Sequence, residues 1–152
     1  MYKIRLFDYN RDLPDMMELV REFSKEDTLY ADCFDELTAV SILQKVSQTD
    51  AMSPFVAVDN KDKVIGVFFL AEDCVWFNPA KKLQKEALFY VMKEHRGKGV
   101  ASLLIDRVTE FADSKGHRLA VPLLTRDRLE AKENLMKRKG FSKEGSYMAY
   151  GG

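Results

Sequence analysis

The stretch Val91-Met92-Lys93-Glu94-His95-Arg96-Gly97-Lys98-Gly99-Val100-Ala101 decides how this chain is read, because an apolar strand ends there in a basic, two-glycine turn and a helix begins at once. Ala87-Leu88-Phe89-Tyr90-Val91 is an aromatic and β-branched run suited to a buried strand. Beyond the turn, Ala101, Leu104, Ile105, Val108, Phe111 and Ala112 recur at i, i+3, i+4, i+7, i+10 and i+11. Ser102, Asp106, Glu110 and Asp113 take the opposite face, which predicts an amphipathic helix from about residue 99, stopped by Gly116. Such an order can hold an anion. Glycines at 97 and 99 let backbone N–H groups turn toward it with no Cβ in the way, and the helix start adds unpaired N–H groups and the positive end of its dipole. Arg96 and Lys98 add charge beside them.

Three phosphate-binding patterns compete for this segment. A P-loop needs G-x-x-x-x-G-K-[ST], and neither the glycine spacing nor the Lys-Ser/Thr pair is present. The dinucleotide fingerprint G-x-G-x-x-G is met in part by Gly97, Gly99 and Ser102, without an acid at the end of a following strand. The third pattern fits best: Arg96-x-x-Gly99-x-Ala101 resembles the Q/R-x-x-G-x-G/A signature of the GNAT superfamily of N-acetyltransferases. The longer run from Val91 resembles that family's V-x-P-x-x-R-G-x-G-x-G/A segment, with Lys93 where proline is common, and Gly140-Phe141 resembles the pair closing its last helix.

The resemblance implies one α/β (α+β) domain spanning residues 1–152. Its mixed, mostly antiparallel sheet would have six to seven strands flanked by about four helices. The fourth and fifth strands would splay apart, with acetyl-CoA, the acyl donor, lying in the wedge between them. Backbone groups of Val91, Met92 and Lys93 would hold the pantetheine. The turn and helix start, Arg96, Gly97, Lys98, Gly99, Val100, Ala101 and Ser102, would bind the pyrophosphate, assisted by the Arg96 side chain, while the Lys98 side chain either assists too or is a solvated surface lysine. Lys137, Arg138 and Lys139 either reach the ribose phosphate or form a solvated helix end. Pro122, awkward in a central strand because it lacks an N–H, costs little where no ladder bond forms.

Bulk properties fit a single enzyme domain. At 152 residues and 46% hydrophobic composition the chain is long enough for one substantial core. Lys plus Arg equals Asp plus Glu at 24 each, so nothing global points to nucleic acid or an anionic membrane as partner. Cys33 and Cys74 match neither a redox motif nor a zinc ladder and read as reduced, partly buried thiols; His95 and His117 are too separated for a metal site, and no metal is expected. No signal-like segment and no run near the roughly 20 apolar residues of a membrane span is present, so a cytoplasmic monomer or homodimer is expected.

Along the chain, Tyr2 to Phe7 alternates as a first strand. Asp12 is placed to cap a helix with Leu13, Met16, Met17, Val20 and Phe23 on one stripe, and residues 34 to 47 read as a second helix through Leu37, Val40, Leu43 and Val46. Residues 54–58 and 64–70 flank a polar turn as a hairpin. Trp76-Phe77-Asn78-Pro79 and the polar run Lys81 to Glu86 read as loop. Leu119 to Leu124 reads as a strand, 128 to 139 as the last helix, and Phe141 to Tyr150 as short closing strands.

Acyl transfer to an amine needs a neutral nucleophile, because an ammonium has no lone pair, and a carboxylate to take its proton. Glu86 resembles the position at which some GNAT enzymes place that base; the alternative is a charged residue ending a polar loop. Tyr90 either shares that face or is a core tyrosine. The oxyanion donor is expected to be a main-chain N–H near Val91 or Met92. Many relatives have a tyrosine four residues before the closing glycine as general acid, and Met136 stands there. Leu129 occupies the family's asparagine position, with Asn134 farther on. Tyr147 or Tyr150 is then the substitute acid, or solvent is. Glu22, Glu26, Asp27, Asp32 and Asp35 make the first-helix region acidic, which suits a cationic acceptor or a solvated face; Tyr30, Phe34, Trp76 and Phe77 line the mouth or anchor loops. The rival to an N-acetyltransferase is a non-catalytic acyl-CoA sensing domain, and a weaker one is a dinucleotide-binding module.

Overall fold

Alternation along one strand sorts the core into two halves. In β2 (Met52–Val58), Phe55 and Ala57 join one buried cluster, whereas Val56 and Val58 join another on the opposite face of the sheet. The structure, a computed structural model, describes residues 1–26 and 30–151. Asp27, one of the acidic residues near the first helix, lies outside them. The element order is β1 (Lys3–Leu6), α1 (Tyr9–Phe23), α2 (Glu36–Val46), β2, β3 (Val64–Val75), β4 (Asn78–Val91), a 3-10 turn (Lys93–His95), α3 (Val100–Lys115), β5 (Arg118–Ala120) and α4 (Leu129–Arg138). The strands lie side by side in chain order, antiparallel from β1 to β4, and β5 joins β4 in parallel after the α3 crossover.

On one face α3 buries Leu104, Ile105 and Val108 against Phe55, Phe68 and Leu70, with Met136 of α4 in the same cluster. On the other, Met16, Met17 and Leu19 of α1 and Leu43 of α2 cover Val56, Val64 and Val67. The α3 stripe read from the sequence is therefore the buried one. In α2 Leu43 and Val46 are buried, Ala39 and Val40 pack partly buried against the core, and Leu37 is 83% exposed.

Helix α1 starts earlier than Asp12 suggests. Asp8 is the cap, accepting from the Asn10 N–H at 3.0 Å, and Asp12 is a buried anchor instead. Its carboxylate accepts from both terminal nitrogens of Arg5, at 2.6 and 2.9 Å, and from the Asp8 N–H at 2.8 Å, tying β1 to the first turn of the helix. Burial opposes its charge, but the Arg5 and Asp8 bonds prevail and hold its pKa below the ordinary value.

Among the described residues the sheet has five strands, not six or seven. Phe141 to Tyr150 carries no regular secondary structure: Ser142-Lys143-Glu144-Gly145-Ser146 offers no apolar alternation to bury. The fifth strand ends at Ala120, before Pro122. The expected loop from Trp76 to Glu86 is instead the far half of a long β3–β4 ribbon, whose register runs from Gly66–Val91 to Val75–Asn78. Polar side chains line that ribbon where neither helix layer covers it, as in the 2.8 Å Glu72–Lys82 pair. Trp76 and Phe77 sit at its exposed turn, edge to face at 5.3 Å. Cys33 and Cys74 are exposed rather than partly buried. The His117 Nδ1 accepts from the buried Gln84 amide at 3.0 Å. Among the described residues no helix is long and apolar enough to cross a membrane.

Candidate functional site

The parallel ladder between β4 and β5 is only three pairs long, Leu83–Arg118, Gln84–Leu119 and Lys85–Ala120. Past Ala120 the chain leaves the ladder, and Pro122 has no N–H to return to it. The strands splay, and a cleft of about 750 Å³ opens between β4, the chain from Pro122 to Arg128, the glycine turn and α4.

A bulge in β4 shapes its near wall. Phe69 pairs with Leu88 but Leu70 pairs with Glu86, leaving Ala87 as an extra residue. The alternation linking Glu86 to Leu88 and Tyr90 is broken there. Beyond the bulge the backbone faces are fixed by one bond: the Met92 N–H donates to the Ile65 carbonyl at 2.9 Å. Met92 and Ile65 thus form a hydrogen-bonded pair, and Gly66–Val91 and Phe68–Phe89 do not. The peptide groups of Val91 and Phe89 turn away from β3, into the wedge, and Met92 has no N–H to offer there.

Glu86, first beyond the β5 pairing, lines the cleft half-buried. Burial pushes its pKa up to about 7, against a smaller opposing pull from Lys85. Tyr30 also lines the cleft, and burial, then the nearby Tyr147 and Glu86, raise its pKa. Tyr147 itself is 61% exposed and outside the cleft lining.

The turn has the geometry its glycines imply. Gly97 and Gly99 have φ of 72° and 84°, and a Cβ built on either would meet nothing within 4 Å, so the space beside them is open. Val100, Ala101 and Ser102 form the first turn of α3, whose N–H groups have no intrahelical acceptors, and all three line the cleft. Lys98 points to solvent and Lys93 is 69% exposed; neither lines the cleft.

The Arg96 side chain lines the cleft and is partly engaged within the protein. Its Nε donates to the Val91 carbonyl at 2.9 Å, a terminal nitrogen donates to Glu26 Oε1 at 2.9 Å, and the guanidinium lies 5.1 Å from the Tyr90 ring centre. The Tyr90 hydroxyl donates to the same Glu26 oxygen at 3.1 Å, and Lys93 Nζ lies 3.9 Å away. Burial disfavours charge on Glu26, but the Arg96 bond, its charge and Tyr90 outweigh it and hold the carboxylate ionised. Burial and the Glu26 charge push the Tyr90 phenol far up, making it a core hydrogen-bond donor. Glu26 thus binds the end of α1 to the glycine turn, a role no local pattern marks.

A family model described as an acetyltransferase (GNAT) domain matches residues 51–143, from the β2 start to just past α4. The chain belongs to the GNAT acetyltransferase family. No curated relative matches the sequence. Among solved structures, an acetyltransferase from Trypanosoma brucei is 16% identical, with TM-score 0.74 over 99% of each chain. A ribosomal-protein-alanine N-acetyltransferase from Brucella melitensis is 17% identical, with TM-score 0.70 over 99% of this chain and 98% of that one. AAC(6')-Iy, in complex with the bisubstrate analogue CoA-S-monomethyl-acetylneamine, is 19% identical, with TM-score 0.76 over 100% of this chain and 98% of that one.

The α4 wall is where this GNAT domain departs from the pattern its sequence resembles. Met136, in the position of the tyrosine, is 5% exposed, packs into the core under α3 and does not line the cleft. Leu129 is at the outer end of the helix, 36% exposed, and Asn134 points to solvent. The cleft is instead lined from α4 by Ala131, Lys132, Leu135, Arg138 and Lys139. Lys139 is held by Asp106 of α3 at 2.8 Å, and Lys137 does not line the cleft. Lys132, which no motif marks, donates to the Asp127 carbonyl at 2.8 Å and to Thr125 Oγ1 at 3.1 Å. Burial, countered by Asp127, lowers its pKa.

Proposed function

We propose that this chain is an acyl-CoA-dependent N-acyltransferase that moves acetyl from acetyl-CoA to a primary amine of a small molecule or protein, with Glu86 as general base. The observation that carries the reading is Glu86, a half-buried carboxylate in the wall of the wedge with a pKa of about 7. A carboxylate of ordinary pKa is a weak base toward an ammonium. One raised near neutrality is largely ionised at pH 8 and accepts a proton with less penalty. A sensing domain needs no such group.

The chain also fits the acyl donor. Acetyl-CoA would bring an activated thioester. The open, Cβ-free turn at Gly97 and Gly99 and the unpaired N–H groups of Val100, Ala101 and Ser102 suit its pyrophosphate. The wedge-facing peptide groups of Phe89 and Val91 suit its pantetheine arm and thioester oxygen; the Val91 carbonyl is already taken by Arg96, so Val91 contributes its N–H. Met92, expected in this role, has its N–H bonded to the Ile65 carbonyl and its own carbonyl bonded by the His95 N–H. Relatives of this fold named for ribosomal-protein alanine and for aminoglycosides show that acceptors differ across it, so the acceptor is defined here only as an amine. The exposed Cys33 and Cys74 suit a reducing, cytoplasmic setting.

Native mass spectrometry for retained coenzyme A, followed by thiol release from acetyl-CoA across a panel of amines, tests the proposal. Release that depends on both an amine and Glu86 supports it. Tight binding with no turnover on any amine returns the sensing reading, and stabilisation by NADH but not by coenzyme A returns the dinucleotide one.

A further inference from the structure

The wedge contains a base but lacks the family's usual acid, since Met136 is in the core. Departure of the coenzyme thiolate is helped by a proton donor whose own affinity for a proton lies near that of a thiol, about 8.5 in the case of cysteine. Few groups in the cleft qualify. The Tyr90 hydroxyl is committed to Glu26, Arg96 is bonded to Glu26 and the Val91 carbonyl, and Lys139 is paired with Asp106. Tyr30 has its phenol pushed upward, away from a thiol.

Lys132 differs from all of these. Its ammonium is half-buried in the α4 wall and is tethered only by neutral oxygens, the Asp127 carbonyl and Thr125 Oγ1, with no carboxylate within ion-pair distance among the described residues. These bonds use two of its three N–H groups, and the side chain lines the cleft. The charged groups that act on it are Asp127, Arg96, Glu26 and Arg128, and burial outweighs them in lowering its proton affinity toward that of a thiol.

We propose that Lys132 is the proton donor to the departing thiolate, replacing the tyrosine that Met136 displaces. The inference rests on the acyl-CoA reading above. As the amine nitrogen bonds to the acyl carbon, the carbon–sulfur bond breaks and its electron pair stays on sulfur. An N–H bond of Lys132 breaks, an S–H bond forms, and the neutral lysine regains a proton from water. Glu86 has meanwhile taken the amine proton. Lys132 and Glu86 act on different atoms from different walls of the wedge.

The test uses the full chain, its Lys132→Met and Lys132→Arg variants, and two readouts. The first titrates the thiol of bound coenzyme A by the ultraviolet absorbance of its thiolate, with the desulfo analogue as blank. In the parent, the bound thiol titrates below the free coenzyme, and in Lys132→Met the shift is lost. The second is steady-state kinetics. Lys132→Met lowers kcat about 10²-fold or more, with little change in KM for acetyl-CoA. Lys132→Arg keeps the charge and the binding but cannot donate, so its kcat stays low. Full activity in Lys132→Arg, or a loss confined to KM with the thiol titration unmoved, makes Lys132 a binding cation only and overturns the proposal. So does loss of the acid by Tyr30→Phe alone. A parent that binds no coenzyme A overturns the acyl-CoA reading itself, whereas a parent that binds and transfers while Lys132→Met matches it overturns only the role of Lys132.

Discussion

Replacing Glu86 with glutamine separates its chemistry from its packing, because the amide keeps the shape and cannot ionise. With a pKa of about 7, roughly a tenth of Glu86 is ionised at pH 6 and roughly nine-tenths at pH 8, so the base contributes an approximately tenfold rise in kcat/KM across that range. An acceptor amine that is already neutral at pH 6 removes the competing titration of the nucleophile. On such an acceptor the parent shows the limb near pH 7; Glu86→Gln shows none, and its rate at pH 8 is lower by about 10²–10⁴-fold. Stability should move the other way. The folded pKa of about 7 lies above the ordinary 4.5, so the folded state holds this proton more tightly than the unfolded chain does. Glu86 therefore costs nothing below about pH 4.5 and destabilises increasingly as pH rises through 7, by up to roughly 3 kcal/mol at pH 8. Urea titrations should show Glu86→Gln more stable than the parent at pH 8, with the difference fading as pH falls toward 5. A variant that keeps the limb near pH 7 and gains no stability at pH 8 would show that Glu86 is a surface carboxylate, and the wedge would lose its base.

What could be read in the sequence was whatever rests on local constraints. The turn was legible because Gly97 and Gly99 are the residues that tolerate positive φ, and α3 was legible because its period of 3.6 is complete from Ala101 to Ala112. The outer half of β4 was not. Residues such as Lys81 and Lys82 face water on a ribbon that no helix covers, and a strand wet on both faces has the composition of a loop. The charged groups of the site were hidden for a different reason. Arg96 sits 70 residues from Glu26 in sequence, and no periodicity connects the end of α1 to a turn after β4. The motif therefore pointed to the Arg96 side chain as an anion ligand, and gave no sign that the same side chain also ties the Val91 carbonyl to Glu26. Lys132 is the same case: on a helical wheel it is one more lysine of a charged helix, and only the splay of β5 places it in a cleft wall. The missing tyrosine was visible in sequence, whereas the burial of its replacement was not.

Gly97→Val and Gly99→Val should each leave the far-ultraviolet spectrum unchanged while adding about 1–3 kcal/mol of backbone strain at a positive φ, and calorimetry should find coenzyme A binding severely weakened; parental affinity in both would remove the turn from the site. Asp12→Ala should destabilise the protein by about 3 kcal/mol, because it removes the two-pronged carboxylate that holds Arg5 and the Asp8 N–H and leaves Arg5 only the longer contact to Asp62, a loss that chemical denaturation measures directly. Because the folded pKa of Asp12 is held below its unfolded value, that contribution is present above about pH 4 and is lost as pH falls further, so parent and Asp12→Ala should converge in stability at low pH. Met136→Tyr is the substitution the family pattern invites, since it restores the tyrosine at the position of the general acid. The site of Met136 argues against any gain: the side chain is packed under α3 among Leu104, Ile105 and Val108 and does not line the wedge, so a larger ring with a hydroxyl must either overpack the core or leave its oxygen unpaired. The expected result is a loss of about 1–3 kcal/mol in stability with no increase in kcat. A variant that melts at the parental temperature and turns over faster would mean that residue 136 reaches the wedge after all, and the case for a donor elsewhere on α4 would fall with it.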